Sequence, residues 1–203
     1  TMSGFTTTGA SIIDDVDALP HGILFWRSFT QWIGGLGIVF FTIALLPSLV
    51  GGSVKVFAAE ATGPIKTKLH PRLSTNAMWI WVVYLCITLL CIVSLKLAGM
   101  DFFSSVNYSF TTAATGGFAT HSDYSYLTPV VQYIVTFFCF VSGVNFTMLY
   151  ITASKRKIST LFNSAECKFY FFVVVAFTLF IAFELMWKNG YALEPALRSS
   201  AFH

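Results

Sequence analysis

Long apolar runs alternate with short polar ones along the whole of this chain. Phe25–Val50, Ala77–Leu95, Tyr126–Thr152 and Phe169–Trp187 are each predominantly apolar. Each reaches about the 20 residues that a helix needs to cross a bilayer, so the pattern predicts four spans. Trp26 and Arg27 anchor the first, which has Pro47 near its end, and Trp79 and Trp81 open the second. Lys96 stands at the far end of the second, where it can snorkel to the interface, and Glu184 has an interfacial place near the end of the fourth. Two apolar pieces are too short to span. Phe102–Phe110 is one, and Leu193–His203 begins a similar short amphipathic helix. Thr1–Phe5 reads as the tail of another helix.

The break in this alternation is Thr111–Thr120, TTAATGGFAT, between two apolar blocks. Ser104–Ala114 is predicted as a re-entrant helix and Thr115–Thr120 as the loop that returns to the same side. Irregular backbone at membrane depth is tolerated only where protein buries it or it lines a watery cavity. A Thr- and Gly-rich loop there has free carbonyls, and a ring of carbonyls suits a dehydrated alkali cation. TTTGAS at Thr6–Ser11 has the same character, and 108 residues separate its Gly9 from Gly117. The period fits a repeat of helix, re-entrant loop and helix. One loop cannot encircle an ion, so the repeat predicts a pore built from several.

Composition sharpens this to an integral membrane protein. The chain is 56% hydrophobic and 10% charged, with 22 Phe, against about 25% charged in soluble domains. Its mean hydropathy is +0.73. The N-terminus lacks the basic-then-apolar order of a secretion signal. Cys86, Cys91, Cys139 and Cys167 lie in or beside apolar runs without metal-ligand spacing and read as small buried hydrophobes. Asp14, Asp15 and Asp17 in the loop Ile12–Gly22 are open to two readings. They form a hard-cation site, or a solvated loop whose charge concentrates cations near an entrance. Gly34, Gly35 and Gly37 permit close helix packing, and they also suit a face directly behind the carbonyl loop. Asn145, mid-span in Ser142–Asn145, makes either an interhelical hydrogen bond or an ion contact.

Net charge is only +3, and its placement matters more than its sum. Gly51–Asn76 and Ser154–Lys168 each hold four basic residues, whereas the opposite connections are acidic or carry only Lys188. Basic loops stay cytoplasmic, which puts both Gly loops on the outer side. The re-entrant helices then point their partially negative C-termini at the ion path, which favours a cation.

SGFTTTGAS (Ser3–Ser11) followed by RSFTQWIGGLGIVFFTIALLP (Arg27–Pro47) resembles the TrkH/KtrB/HKT superfamily of potassium uptake proteins, most closely its bacterial TrkH branch. The resemblance runs along the whole chain. It implies an all-α membrane fold in which four helix, pore-loop, helix units form a pseudo-fourfold pore. On that plan residues 1–50 end repeat one, 51–76 are a cytoplasmic linker, 77–152 are repeat two, 153–168 a second linker, and 169–203 begin repeat three. The family's filter Gly falls on Gly9 and Gly117. The carbonyls before it fall on Thr7, Thr8, Thr115 and Gly116, with Thr6 and Ala114 at the margin. Repeat two departs from the more polar run of repeat one. The third and fourth filters, the family's gating loop and its closing positive charge have no counterpart here, so two filters alone are not expected to conduct. In this superfamily Ser at the first filter position goes with sodium permeation and Gly with potassium selectivity.

The resemblance further implies potassium as transported ion, no cofactor, a homodimer in the inner membrane, and a cytoplasmic nucleotide-binding regulatory subunit of the TrkA type. The basic loops serve either that docking or topology and anionic lipid contact. No nucleic-acid partner is expected. A sodium- or proton-coupled transporter with broken helices is the alternative, although such repeats are often inverted and these two are parallel. An intramembrane enzyme is disfavoured, because His21, His70, His121 and His203 all lie outside the spans.

Overall fold

A computed structural model of the protein describes residues 1–13, 15–37, 73–122, 127–145, 148–149, 152 and 164–202. Among the described residues every regular element is helical: α1 (Met2–Phe5), α2 (His21–Gly35), α3 (Leu73–Leu97), α4 (Phe102–Ala113), α5 (Pro129–Ser142), α6 (Ala165–Asn189) and α7 (Leu193–Phe202). Asp14, the stretch 38–72 and the basic run 153–163 lie outside the described residues, and with them most of both linkers and the second half of the first expected span.

The two long helices carry the membrane signal. α3 and α6 have 25 residues each, about 37 Å at 1.5 Å per residue, against about 30 Å of hydrocarbon. Both contain stretches long and apolar enough to span, Trp79–Leu97 and Ala165–Lys188. On α6 Phe169, Phe172, Phe177, Phe180 and Phe183 are all exposed. A helix apolar all round belongs in lipid or against further protein. Gly190 ends it in the left-handed conformation, φ 66, donating to the Met186 carbonyl. Glu184 pairs with Lys188 near the end of α6.

α4 is the short helix that the re-entrant reading requires. Asp101 caps it, accepting from Ser104 N at 2.8 Å through its side chain. That bond, ahead of all other influences, holds the Asp101 carboxyl below its ordinary pKa. α3 and α2 both pack on α4, and they also touch each other. Tyr84 on α3 is wholly buried and donates to the Trp32 carbonyl at 2.9 Å, while Trp32 Nε1 donates to Thr88 Oγ1 at 3.1 Å. A second apolar cluster joins Cys91, Leu95, Met100, Tyr108, Leu127 and Val131. In lipid such contacts hold helices together by close packing and hydrogen bonds rather than by expelling water.

Several expected boundaries change. α3 begins at Leu73 and α6 at Ala165, inside the expected linkers 51–76 and 153–168, and α4 begins at Phe102 rather than Ser104. α2 begins at His21, not Phe25, because Pro20 with φ −58 sets up the first turn and the loop surrenders its last two residues. The third span is not one helix over Tyr126–Thr152. α5 stops at Ser142, and Gly143 caps it. A Cβ at Gly143 would come within 3 Å of the Tyr170 hydroxyl, which donates to the Phe140 carbonyl at 3.2 Å. Asn145, at the break, donates to Glu166 on α6 at 3.4 Å, so of its two readings the interhelical hydrogen bond is the one seen.

Candidate functional site

Each short helix delivers a Thr/Gly loop, and the two loops are built alike. After α1, Thr7 has φ 52 and Gly9 φ 75; after α4, Thr115 has φ 51 and Gly117 φ 77. Thr8 and Gly116 between them keep negative φ. Positive φ is uncommon outside Gly and disfavoured for a β-branched residue, so two Thr held this way are backbone strain concentrated in one motif. The hydrogen bonds repeat as well. Thr8 N donates to Ser3 O at 3.0 Å, and Gly116 N to Thr111 O at 2.8 Å. Thr7 N to Gly4 O at 2.9 Å is matched by Thr115 N to Thr112 O at 3.1 Å. Thr6 N to Met2 O is matched by Ala114 N to Phe110 O. The same 108-residue offset carries α2, starting at His21, onto α5, starting at Pro129.

The loops meet. A Cβ on Gly9 would lie under 3 Å from the Gly116 carbonyl oxygen, which is backbone and cannot swing away. Gly117 has open space at the same position. Thr115, Gly116 and Gly117 border a cavity of about 260 Å³ with Thr111, Thr112 and Cys139. Thr6 turns its hydroxyl to the Met2 carbonyl at 3.1 Å and lies 2.8 Å from the Thr8 hydroxyl, and Ala114 is buried as the cap of α4. The eight nominated residues thus fall into two juxtaposed loop segments, and neither segment contains a carboxylate.

α2 is the wall behind them. A Cβ on Gly34 would press within 3 Å on the carbonyl of Phe5, at the end of α1. One on Gly35 would meet the Tyr84 hydroxyl at 2.7 Å and Ala114 Cα at 2.9 Å. Both readings of these glycines therefore hold together: close packing, directly behind the loops. Arg27 does more than anchor an interface. Its guanidinium lies 4.4 Å over the Phe118 ring and donates to Ser11 Oγ at 3.3 Å.

Two features escaped the sequence reading. Gln31, fully buried on α2, donates from Nε2 to the Gly116 carbonyl at 2.8 Å and accepts at Oε1 from Phe118 N at 3.2 Å. Its one signal was an amide within an expected membrane span, beside Arg27, Ser28 and Thr30. The second is a tie between the outer loops. Asp17 takes His121 Nδ1 at 2.6 Å and Ser122 N at 3.1 Å, and Val16 N donates to Ser122 Oγ at 3.1 Å. Asp15 caps its own turn, accepting from Asp17 N at 3.0 Å. Among the described residues no three acidic, His or Cys side chains gather as a metal set, and Asp14, the third acid of the loop, lies outside the described residues.

The Ser122 amide, then His121, lowers the Asp17 pKa. A depressed carboxyl contributes stability above its unfolded pKa, and that contribution is lost as pH falls through the folded value. Asp17→Asn should therefore lower the thermal midpoint at neutral pH by a small margin, as expected for exposed pairs. The gap should close on acidification below the ordinary carboxylate range. A gap constant over that range would show that charge on Asp17 plays no part in the tie.

A family model described as "TrkH: Cation transport protein" matches residues 1–189. The Trk system potassium uptake protein TrkH of Escherichia coli K12 is 38% identical over 206 residues, 99% of this chain and 42% of that protein. Its namesake from Vibrio parahaemolyticus is 36% identical over 198 residues, covering 96% and 41%. The crystal structure of the potassium transporter TrkH from Vibrio parahaemolyticus superposes with TM-score 0.78 at 32% identity, over 98% of this chain and 41% of that one. The chain spans about two fifths of the length of the relatives it matches.

Proposed function

The chain belongs to the TrkH family of cation transport proteins, and from that premise we propose that it supplies two adjoining walls of a potassium-selective path. The observation that carries the reading is the matched pair of loops with positive φ at Thr7, Gly9, Thr115 and Gly117. Residues of alternating handedness turn successive carbonyls toward the same side of a strand, unlike the alternating carbonyls of a β-strand. Thr7, Thr8, Gly9, Thr115, Gly116 and Gly117 would then offer neutral dipoles in place of hydration water. The helix α4 ends at the second loop and presents the partially negative end of its dipole there.

The Gly116 carbonyl accepts from Gln31 through one lone pair, which leaves the other for the ion. Potassium uptake, as in the names of the relatives, follows for an intact transporter holding two further loops of this kind. Its place is the inner membrane with both loops outward. The basic runs at Gly51–Asn76 and Ser154–Lys168 serve either topology and anionic lipid contact or the docking of a TrkA-like regulatory partner, and the transporter pairs as a homodimer.

Rubidium uptake by vesicles holding the full-length protein tests the reading. Uptake should follow an imposed membrane potential without a sodium or pH gradient. Uptake that requires either gradient would favour coupled transport, and no uptake under any condition would defeat the pore.

A further inference from the structure

We infer that Gln31 is a positioning residue that sets ion selectivity from behind the pore, by holding the two peptide groups that flank Gly117. The inference rests on the pore reading above and adds to it the residue that fixes the second filter.

The geometry is a two-point clamp. Gly116 O and Phe118 N belong to the same edge of the loop, on either side of Gly117, and one side-chain amide engages both. A primary amide carries an acceptor and donors side by side, so it matches that edge as a neighbouring strand would. Gln31 has no exposure to solvent, so water does not compete for either bond. Gly116 is shaped to it: a Cβ there would overlap the Gln31 carboxamide. A carbonyl at a filter works only in one orientation, and a peptide held at both ends of its flanking residues cannot rotate away. Gly117, with positive φ and open space at its Cβ position, has no steric restraint of its own.

The clamp crosses repeats. Gln31 follows filter one in the chain but serves filter two. The offset that superposes the repeats puts Cys139 in its place on α5, beside the cavity that Thr115–Gly117 border. A thiol is a single weak donor and weak acceptor, and it lacks the side-by-side carbonyl and N–H of an amide. The clamp is therefore a property of filter two, not of every helix that follows a filter.

Gln31→Glu and Gln31→Leu in the full-length protein test this. Glu keeps the shape. Ionised, it sets an anionic oxygen against the Gly116 carbonyl; protonated, its O–H and C=O restore a donor beside an acceptor. Burial favours the protonated form. The loops that touch the amide, Thr6–Ala10 and Ala114–Ala119, carry no titratable side chain, α4 carries only Tyr108, and Arg27 lies one turn earlier on α2. Each variant is compared with the wild type at the same pH by sodium and rubidium uptake in vesicles, after confirming unchanged helicity and a monodisperse elution. Gln31→Leu should raise the sodium-to-rubidium ratio about tenfold at every pH, the scale of one lost buried hydrogen bond. Gln31→Glu should match it at high pH and return toward wild type on acidification. If Gln31→Leu does not fold, the pH profile of Gln31→Glu alone decides. Wild-type selectivity in a folded Gln31→Leu, or a Gln31→Glu defect that does not change with pH, overturns the clamp while leaving the pore intact. A wild-type protein that carries no rubidium overturns both.

Discussion

Gly9→Ser in the intact transporter should raise sodium flux relative to potassium by about tenfold or more. Two effects add. A residue with a Cβ pays roughly 1–2 kcal/mol to hold the left-handed conformation, and Gly9 sits at φ 75. The new Cβ would also fall under 3 Å from the Gly116 carbonyl oxygen. That oxygen is backbone and is tied to Gln31, so the conflict moves filter two or the amide behind it. A change at one residue in repeat one thus loosens carbonyls in repeat two. About 1.4 kcal/mol of differential ion stabilisation is a factor of ten, and the combined strain is at least of that order. Sodium and rubidium uptake in the same vesicles reads the ratio. An unchanged ratio in a folded protein would mean that Gly9 does not border the path.

Gly34→Val should be the most damaging change outside the loops. Its Cβ position lies against the Phe5 carbonyl and within 3 Å of Phe5 Cα, where α1 hands over to the first filter. Overpacking of this kind costs about 1–3 kcal/mol, and here the strain is delivered to the strand that carries Thr7 and Gly9. Both thermal stability and uptake should fall. Gly22→Ala is the internal control. The same helix has nothing within 4 Å of that position, so the exchange should be neutral, or stabilising by up to about 1 kcal/mol through helix propensity. Equal thermal midpoints for the two variants would sink the claim that α2 is the wall behind the filters.

The element types were legible because their causes are local. Apolar length predicts α3 and α6, the short apolar run before TTAATGGFAT predicts α4, and Leu193–His203 predicts α7. Boundaries moved where a neighbour intervened. Pro20 advanced α2 by setting φ, which a closer reading of the sequence would have caught. Gly143 with Ser142 and Asn145 offered a local stop, and Tyr170 from another helix occupies the space that a side chain at Gly143 would need.

What the sequence by itself determined is the membrane class, the 108-residue repeat, and the pairing of Gly9 with Gly117. Each of these is a statement about residue type and spacing, and positive φ follows from Gly at a tight turn. The tertiary structure decided the rest. Only packing places Gly9 against the Gly116 carbonyl, 107 residues away, and brings Asp17 to His121. Only packing gives Thr7 and Thr115 a conformation that their side chains disfavour in isolation. And Gln31 gains its role from burial: an exposed amide would bond to water, whereas one sealed behind a loop must find its donor and acceptor in that loop.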